Sequence, residues 1–220
     1  MFPVRVLLLL CSFAPGIFAQ QNLFVGGYVG VSTLSADART DVASSGAQFS
    51  SYKPENGLTA VGFAGRHLSD WVSVMGSYGW NRNSMLLAAG DAGPVPNATS
   101  REYASSMHTV IGEALFYFRP RRSRIRPYLS GGAGLVDINA ASRGTAGGFG
   151  RPPSLPDSID HTGAAFRVAV GIDLFVWRNT ALRYSFSETI QGNPFSAALT
   201  PAAPRDLANF QNWLGMAFHF

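Results

Sequence analysis

The sequence predicts an all-β chain whose eight antiparallel strands run up and down and close into a transmembrane β-barrel. Three observations carry that prediction. Apolar residues recur at every second position in most of eight separate segments, the signature of a strand with one apolar face. Charged residues make up only 14% of the chain, yet no apolar run near 20 residues lies beyond the first 19, so a spanning helix is not expected. Connections between the segments alternate long and short from one end of the chain to the other.

At 220 residues the chain is one domain, or at most two. Residues 1–19 read as a signal peptide: Arg5 is the charged start, Val6 to Phe13 the apolar core, and Phe18-Ala19 the exit, with cleavage after Ala19. Cys11, the sole cysteine, falls inside that segment, so residues 20–220, the expected barrel domain, contain no thiol. The first strand is Leu23 to Thr33, with Leu23, Val25, Val29 and Val31 on one face and Phe24, Gly26, Tyr28 and Gly30 on the other. A long loop, Leu34 to Asn56, precedes the second strand, Gly57 to Leu68. There Thr59, Val61 and Phe63 are taken as the apolar outer face, opposite Ala60, Gly62, Ala64 and Arg66. Ser69-Asp70 is a two-residue turn.

The third strand, Trp71 to Asn81, puts Val72, Val74, Tyr78 and Trp80 outward. A loop over Arg82 to Glu102 leads to the fourth strand, Tyr103 to Arg119, where Val110, Ala114, Phe116 and Phe118 oppose Glu113 and Tyr117. After a tight connection the fifth strand, Ile125 to Asp137, has blurred alternation, and Gly131, Gly132 and Gly134 suggest a bend or bulge. A third long loop covers Ile138 to Asp160. The sixth strand, His161 to Val176, alternates most cleanly: Phe166, Val168, Val170, Ile172 and Leu174 against Arg167, Ala169, Gly171 and Asp173. The seventh, Thr180 to Ile190, sets Leu182, Tyr184 and Phe186 against Arg183 and Ser185. A fourth long loop, Gln191 to Asp206, precedes the eighth strand, Leu207 to Phe220, in which Trp213 sits on the face opposite the apolar one.

In hydrocarbon an unpaired backbone amide or carbonyl costs several kcal/mol, so the eighth strand must pair with the first. Trp71, Phe118, Phe175, Trp177, Phe218 and Phe220 lie near the short-turn end and are expected to form one interfacial girdle; Tyr78, Trp80, Phe186 and Phe210 form the other. Arg66, Glu113, Arg167, Asp173 and Arg183 all fall within strands, opposite the large apolar residues. They are expected inside the barrel, because an arginine at the lipid midplane costs about 2–4 kcal/mol. Asp173 and Arg183 are about equally far from the turn joining their strands and should face each other, with Glu113 and Arg167 at similar depth. An eight-stranded barrel is just wide enough for side chains to fill it, so these charges read as a salt-bridged plug, or else as the lining of a narrow pore.

Three stretches now carry a resemblance. Leu23-Phe24-Val25-Gly26-Gly27-Tyr28, the segment Arg126-Pro127-Tyr128-Leu129-Ser130-Gly131-Gly132-Ala133-Gly134, and Phe218-His219-Phe220 resemble the small eight-stranded bacterial outer-membrane β-barrel superfamily, the OmpA/OmpX type. In that family a terminal aromatic with apolar residues at alternate positions before it is an assembly signal. The resemblance therefore implies that role for Leu214, Met216, Phe218 and Phe220, with the barrel assembly machinery as a partner. It also implies the outer membrane as location, its lipids and lipopolysaccharide as surroundings, and short turns in the periplasm with four long loops outside.

The functional expectation is a non-enzymatic anchor whose loops serve envelope integrity or meet an extracellular partner. Alternatives are a narrow pore for small solutes, a soluble ligand-binding barrel, and a hydrolase acting on lipid A. No catalytic, cofactor or metal site is assigned. Ser106 and His108 share a strand face with Glu102 close by, a nucleophile–base–orienter pattern, but an aqueous strand extension above the membrane is the favoured explanation of them. His67-Leu68-Ser69 has a usable spacing at the wrong end of the barrel, and Asp160-His161 lacks further ligands. His219 is expected at the periplasmic mouth, and the sequon Asn97-Ala98-Thr99 is read as accidental. The run Arg119, Arg121, Arg122, Arg124 and Arg126 would suit nucleic acid or anionic lipid, and nucleic acid is set aside because no stacking or helical framework accompanies it.

Overall fold

A computed structural model describes residues 22–35, 38–41, 48–91, 98–146, 157–197 and 206–220. The predicted signal peptide, Cys11 and Asn97 lie outside the described residues. The strands are β1 (Leu23–Ser35), β2 (Ala38–Asp41), β3 (Gln48–Pro54), β4 (Gly57–His67), β5 (Val72–Asp91), β6 (Ala98–Tyr117), β7 (Ile125–Ala146), β8 (Ser158–Trp177), β9 (Thr180–Gly192) and β10 (Asp206–His219). One helical turn, α1 (Pro194–Ala197), precedes β10.

Eight of these strands close the barrel, each pairing antiparallel with its sequence neighbour in the ring. Closure comes from β1 on β10, in register from Phe24↔His219 to Ser35↔Ala208. No barrel edge is left to face lipid, as the hydrocarbon requires. The stagger can be read from one row of paired residues. Starting at Asp160, it passes Asn139, Ser106, Arg82, Leu58, Val31, Asn212 and Phe186, and re-enters β8 at Val170, ten residues along. Strand number and stagger together set the tilt and width of a barrel.

Alternation then sorts the side chains. Val25, Val29, Val74, Val110, Phe116, Leu129, Val168, Val170, Leu214 and Met216 point outward and stay exposed, a belt that only lipid can cover. Leu214, Met216, Phe218 and Phe220, the expected assembly signal, all belong to that outer face, with Phe220 donating its amide to the Leu23 carbonyl at 2.8 Å. Trp71, Phe118, Trp177, Phe218 and Phe220 are exposed at the short-turn end, and Tyr78 and Phe186 at the other. Phe186 stacks on Phe210 with ring centroids 6.2 Å apart. Phe175 departs from its expected place. It shares parity with Asp173, the register slips between Phe175 and Trp177, and its ring lies 4.9 Å from His219 at the barrel mouth.

Two expectations about faces and loops are corrected. In β4 the faces are reversed: Thr59, Val61 and Phe63 are buried inside, while Ala60, Gly62, Ala64 and Arg66 are on the outer side. Lipid accepts small side chains, whereas the lumen needs bulk to fill it. The Phe63 ring is received by Gly26, where a Cβ would collide with it.

The long loops are also shorter than expected, because the strands outlast their apolar alternation. β5 and β6 pair as far as Gly90↔Ala98, and β7 follows β6 to Ala146↔Ser100. Above the membrane, water tolerates any side chain on either face, so the pattern disappears while the hydrogen-bonded ladder continues. Gly131, Gly132 and Gly134 make no bulge; the register shift falls instead at Glu102/Tyr103. Within the expected first loop, β2 and β3 form a hairpin, and β3 takes over from β4 as the neighbour of β5 from Met85 upward.

Candidate functional site

The lumen is the site the sequence pointed to, and it is packed in layers. Nearest the short-turn mouth, His67 and His219 stack at 5.3 Å, with His67 Nδ1 2.6 Å from Ser73 Oγ. At the same mouth Arg126 is fully buried over the Tyr117 ring, 3.7 Å from its centroid. It donates to the backbone carbonyls of Asp70 and Arg119 at 3.0 and 3.4 Å. The sequence alone groups Arg126 with the surface arginines; only its even parity with Tyr128 and Ser130 marks it as inward.

Next comes a bidentate ion pair. Asp173 and Arg183 are directly opposed across β8 and β9 and are wholly buried, with Arg183 Nη2 donating to Asp173 Oδ2 at 2.6 Å. Tyr117 hydroxyl donates to the same oxygen at 3.4 Å and accepts from Arg183 Nη2 at 3.1 Å. Phe24, Phe63 and Tyr128 present their rings to the guanidinium at 5.1–5.3 Å. Such a charge inside a barrel is tolerable only because it is paired and hydrogen-bonded.

A second pair sits above. Arg167 Nη1 donates to Glu113 Oε1 at 3.1 Å, although the two residues lie on β8 and β6 with β7 between them. The residue of β7 opposite both is Gly132. A side chain there would stand where the two charges meet: a Cβ on Gly132 would lie 2.7 Å from Glu113 Cγ. The sequence suggests a bend at this glycine; its use is to let the ion pair cross a strand. Ser77 and Ser130 donate to the carboxylate at 3.3 and 3.1 Å, and Arg167 Nε donates to Thr189 at 3.0 Å. Trp213 turns inward, stacks on Tyr28 at 5.3 Å and lies 4.9 Å from the guanidinium of Arg167.

Higher still, amides and hydroxyls hydrogen-bond to one another. Thr59 donates to Asn81 at 2.5 Å, Gln211 to Asn81 at 3.3 Å, and Ser32 to Asn209 at 2.6 Å. An apolar cap of Leu34, Met85, Tyr103, Ile138, Phe195 and Leu207 finishes the stack.

Arg66 does not join this network. It is exposed on the outer face, in register with Leu23 and Val74. The expectation that it lies inside assumed a midplane depth, whereas it sits one residue from the end of β4, where an outward arginine costs only about 0–1 kcal/mol. Arg66→Leu is accordingly expected to shift unfolding free energy by less than about 1 kcal/mol, read from the urea midpoint of the protein in lipid vesicles.

The family model for the outer membrane protein β-barrel domain matches residues 6–214. The chain belongs to this family. Solved structures resemble the chain at low identity. Neisserial surface protein A is 14% identical with a TM-score of 0.53, the alignment covering 90% of this chain and 97% of that one. The N-terminal barrel domain of Pseudomonas aeruginosa OprF is 15% identical, TM-score 0.47, covering 91% and 98%. Ail from Yersinia pestis is 12% identical, TM-score 0.47, covering 91% and 100%. No curated protein matches the chain in sequence.

This outer-membrane barrel, a bacterial outer-membrane protein, carries Ser106, His108 and Glu102 outside the lumen. Ser106 Oγ is 3.2 Å from His108 Nε2, His108 Nδ1 is 2.7 Å from the Tyr78 hydroxyl, and Trp80 Nε1 donates to Ser106 Oγ at 3.0 Å. Hydroxyl and imidazole thus meet on the outer wall above the apolar belt. Glu102, the expected orienting carboxylate, is instead 3.4 Å from Arg143 and exposed. A half-open pocket lined by Trp80, Arg82, Ser105, Ser106, Asn139 and Asp160 lies beside this array. Ser69, near His67 in sequence, caps the β4–β5 turn by accepting from the Trp71 and Val72 amides. Asp160 and His161 gather no third ligand; among the described residues no group of three or more His, Cys, Asp or Glu comes together.

Proposed function

We propose that this outer-membrane barrel is a closed, non-enzymatic anchor that holds extracellular strand extensions and loops at the cell surface, for envelope integrity or contact with a partner outside. The observation that carries the reading is the filled lumen. Two buried ion pairs, a hydrogen-bonded group of amides and an apolar cap follow one another along the axis. An ion entering from either mouth meets side chains already paired with one another, and displacing them exposes buried charge. Meanwhile β5, β6 and β7 run 20, 20 and 22 residues, about twice the 9–11 that crossing a bilayer needs, so much of each projects into water. That projection is the part of the molecule free to meet other surfaces.

Planar-bilayer recordings test the closed state. Purified, folded protein is expected to give no steady unitary openings at moderate voltage. Reproducible openings of fixed size would replace the anchor with the narrow-pore alternative.

A further inference from the structure

The short-turn end of the barrel carries a collar of arginines that the lumen does not use. Arg66, Arg119, Arg122, Arg124 and Arg178 are all exposed. None of them takes part in an ion pair among the described residues. Asp70 is the one exposed acid beside them among the described residues, and its carboxylate forms no ion pair with them there.

The collar has a fixed geometry. The β6–β7 turn closes on itself through Ser123 N–H to the Pro120 carbonyl at 3.0 Å. On one side Phe175 N–H donates to the Arg124 carbonyl at 2.9 Å, which ties the turn to the end of β8, next to Arg178. On the other, Arg121 Nη1 donates to Asn22 Oδ1 across the mouth, and buried Arg126 bridges to the β4–β5 turn. The exposed guanidiniums therefore stand on a braced rim. They sit beside Trp71, Phe118, Trp177 and Phe220, the exposed aromatics that mark where the apolar belt meets headgroups. Arg66 lies on the lipid-facing wall itself, so its guanidinium reaches the same layer by extending along the strand surface.

We infer that this collar binds the phosphodiester headgroups of anionic glycerophospholipids in the leaflet around the short turns, and so gathers a shell of acidic lipid about the barrel. Planar guanidiniums match phosphate oxygens two at a time. Held at the interface, without internal carboxylate partners, they meet lipid phosphate at no expense to the fold. The inference takes from the reading above only the placement of short turns at the periplasmic leaflet. Its test uses vesicles with the same lipids on both faces, so it stands or falls separately from the anchor.

The experiment measures association of chain-labelled phosphatidylglycerol and phosphatidylcholine spin probes with the folded protein in phosphatidylcholine vesicles. The intact protein is expected to favour phosphatidylglycerol by about fivefold or more at low salt, the equivalent of one well-placed arginine. The preference should fall toward unity in about 1 M salt, where the Debye length is about 3 Å. It should fall equally in R119Q/R122Q/R124Q/R178Q, and partway in R122Q/R124Q, which serves if the fourfold variant does not fold. No preference in the intact protein, or an unaltered one in either variant that keeps its folded gel mobility, overturns the inference.

Discussion

Asp173→Ala is expected to destabilise the folded barrel by about 3–5 kcal/mol, because it strands Arg183 in the lumen with its principal partner removed. Against a typical total of about 5–15 kcal/mol, that is a large share. The measurement is a urea titration of vesicle-embedded protein, following the mobility difference between boiled and unboiled samples. The double variant D173L/R183M is expected to recover much of the loss, since an apolar pair of similar size carries no charge to satisfy. The Tyr117 hydroxyl would then lose both of its charged partners, so recovery is expected to be incomplete. A D173A barrel as stable as the parent would show that water reaches Arg183, and the closed lumen would fall with it.

Gly132→Leu is the second large effect. Glu113 and Arg167 reach each other only across the bare backbone of β7 at this residue, and a Cβ there would already collide with the Gly112 carbonyl oxygen. A leucine would both crowd the wall and part the charges, so a loss of about 3–5 kcal/mol or outright failure to fold is expected. Gly131→Leu is the matched control. Gly131 lies on the outer side of the same strand, with nothing within 4 Å of the place its Cβ would take, and the change should be nearly silent. Equal behaviour of the two variants would mean that the pair does not depend on this gap.

These residues also mark how far the sequence could be read. The alternation in β8 and β9 was strong enough to place Asp173 opposite Arg183, since both positions lie about equally far from one tight turn, and the slip between Phe175 and Trp177 absorbs the one-residue difference. Closure of β1 on β10 followed from hydrocarbon physics alone. The direction of β4 did not follow. Alternation separates two faces but does not say which one is inside, and Val61 and Phe63 fill a lumen as readily as they face lipid. Arg66 went astray with that strand. Arg126 was hidden because it is one of several arginines in a short stretch, and only the barrel wall distinguishes the one that points in. Gly132 was visible as an oddity, but its use depends on two residues of neighbouring strands that only the register brings beside it. The upper halves of β5, β6 and β7 were missed for a different reason: a ladder standing in water leaves no hydropathic trace.

The hairpin of β2 and β3 on the side of β5 sets a limit on immersion. Among the described strands β2 has no neighbour on its far side, so its outward amides and carbonyls depend on solvent. Sinking that rim into hydrocarbon would strip them of water at several kcal/mol per group. The ribbon therefore acts as a float line. However the bilayer thins or thickens, the molecule cannot settle deeper than the level at which β3 succeeds β4, and a mismatch must be met by the lipid or by tilt.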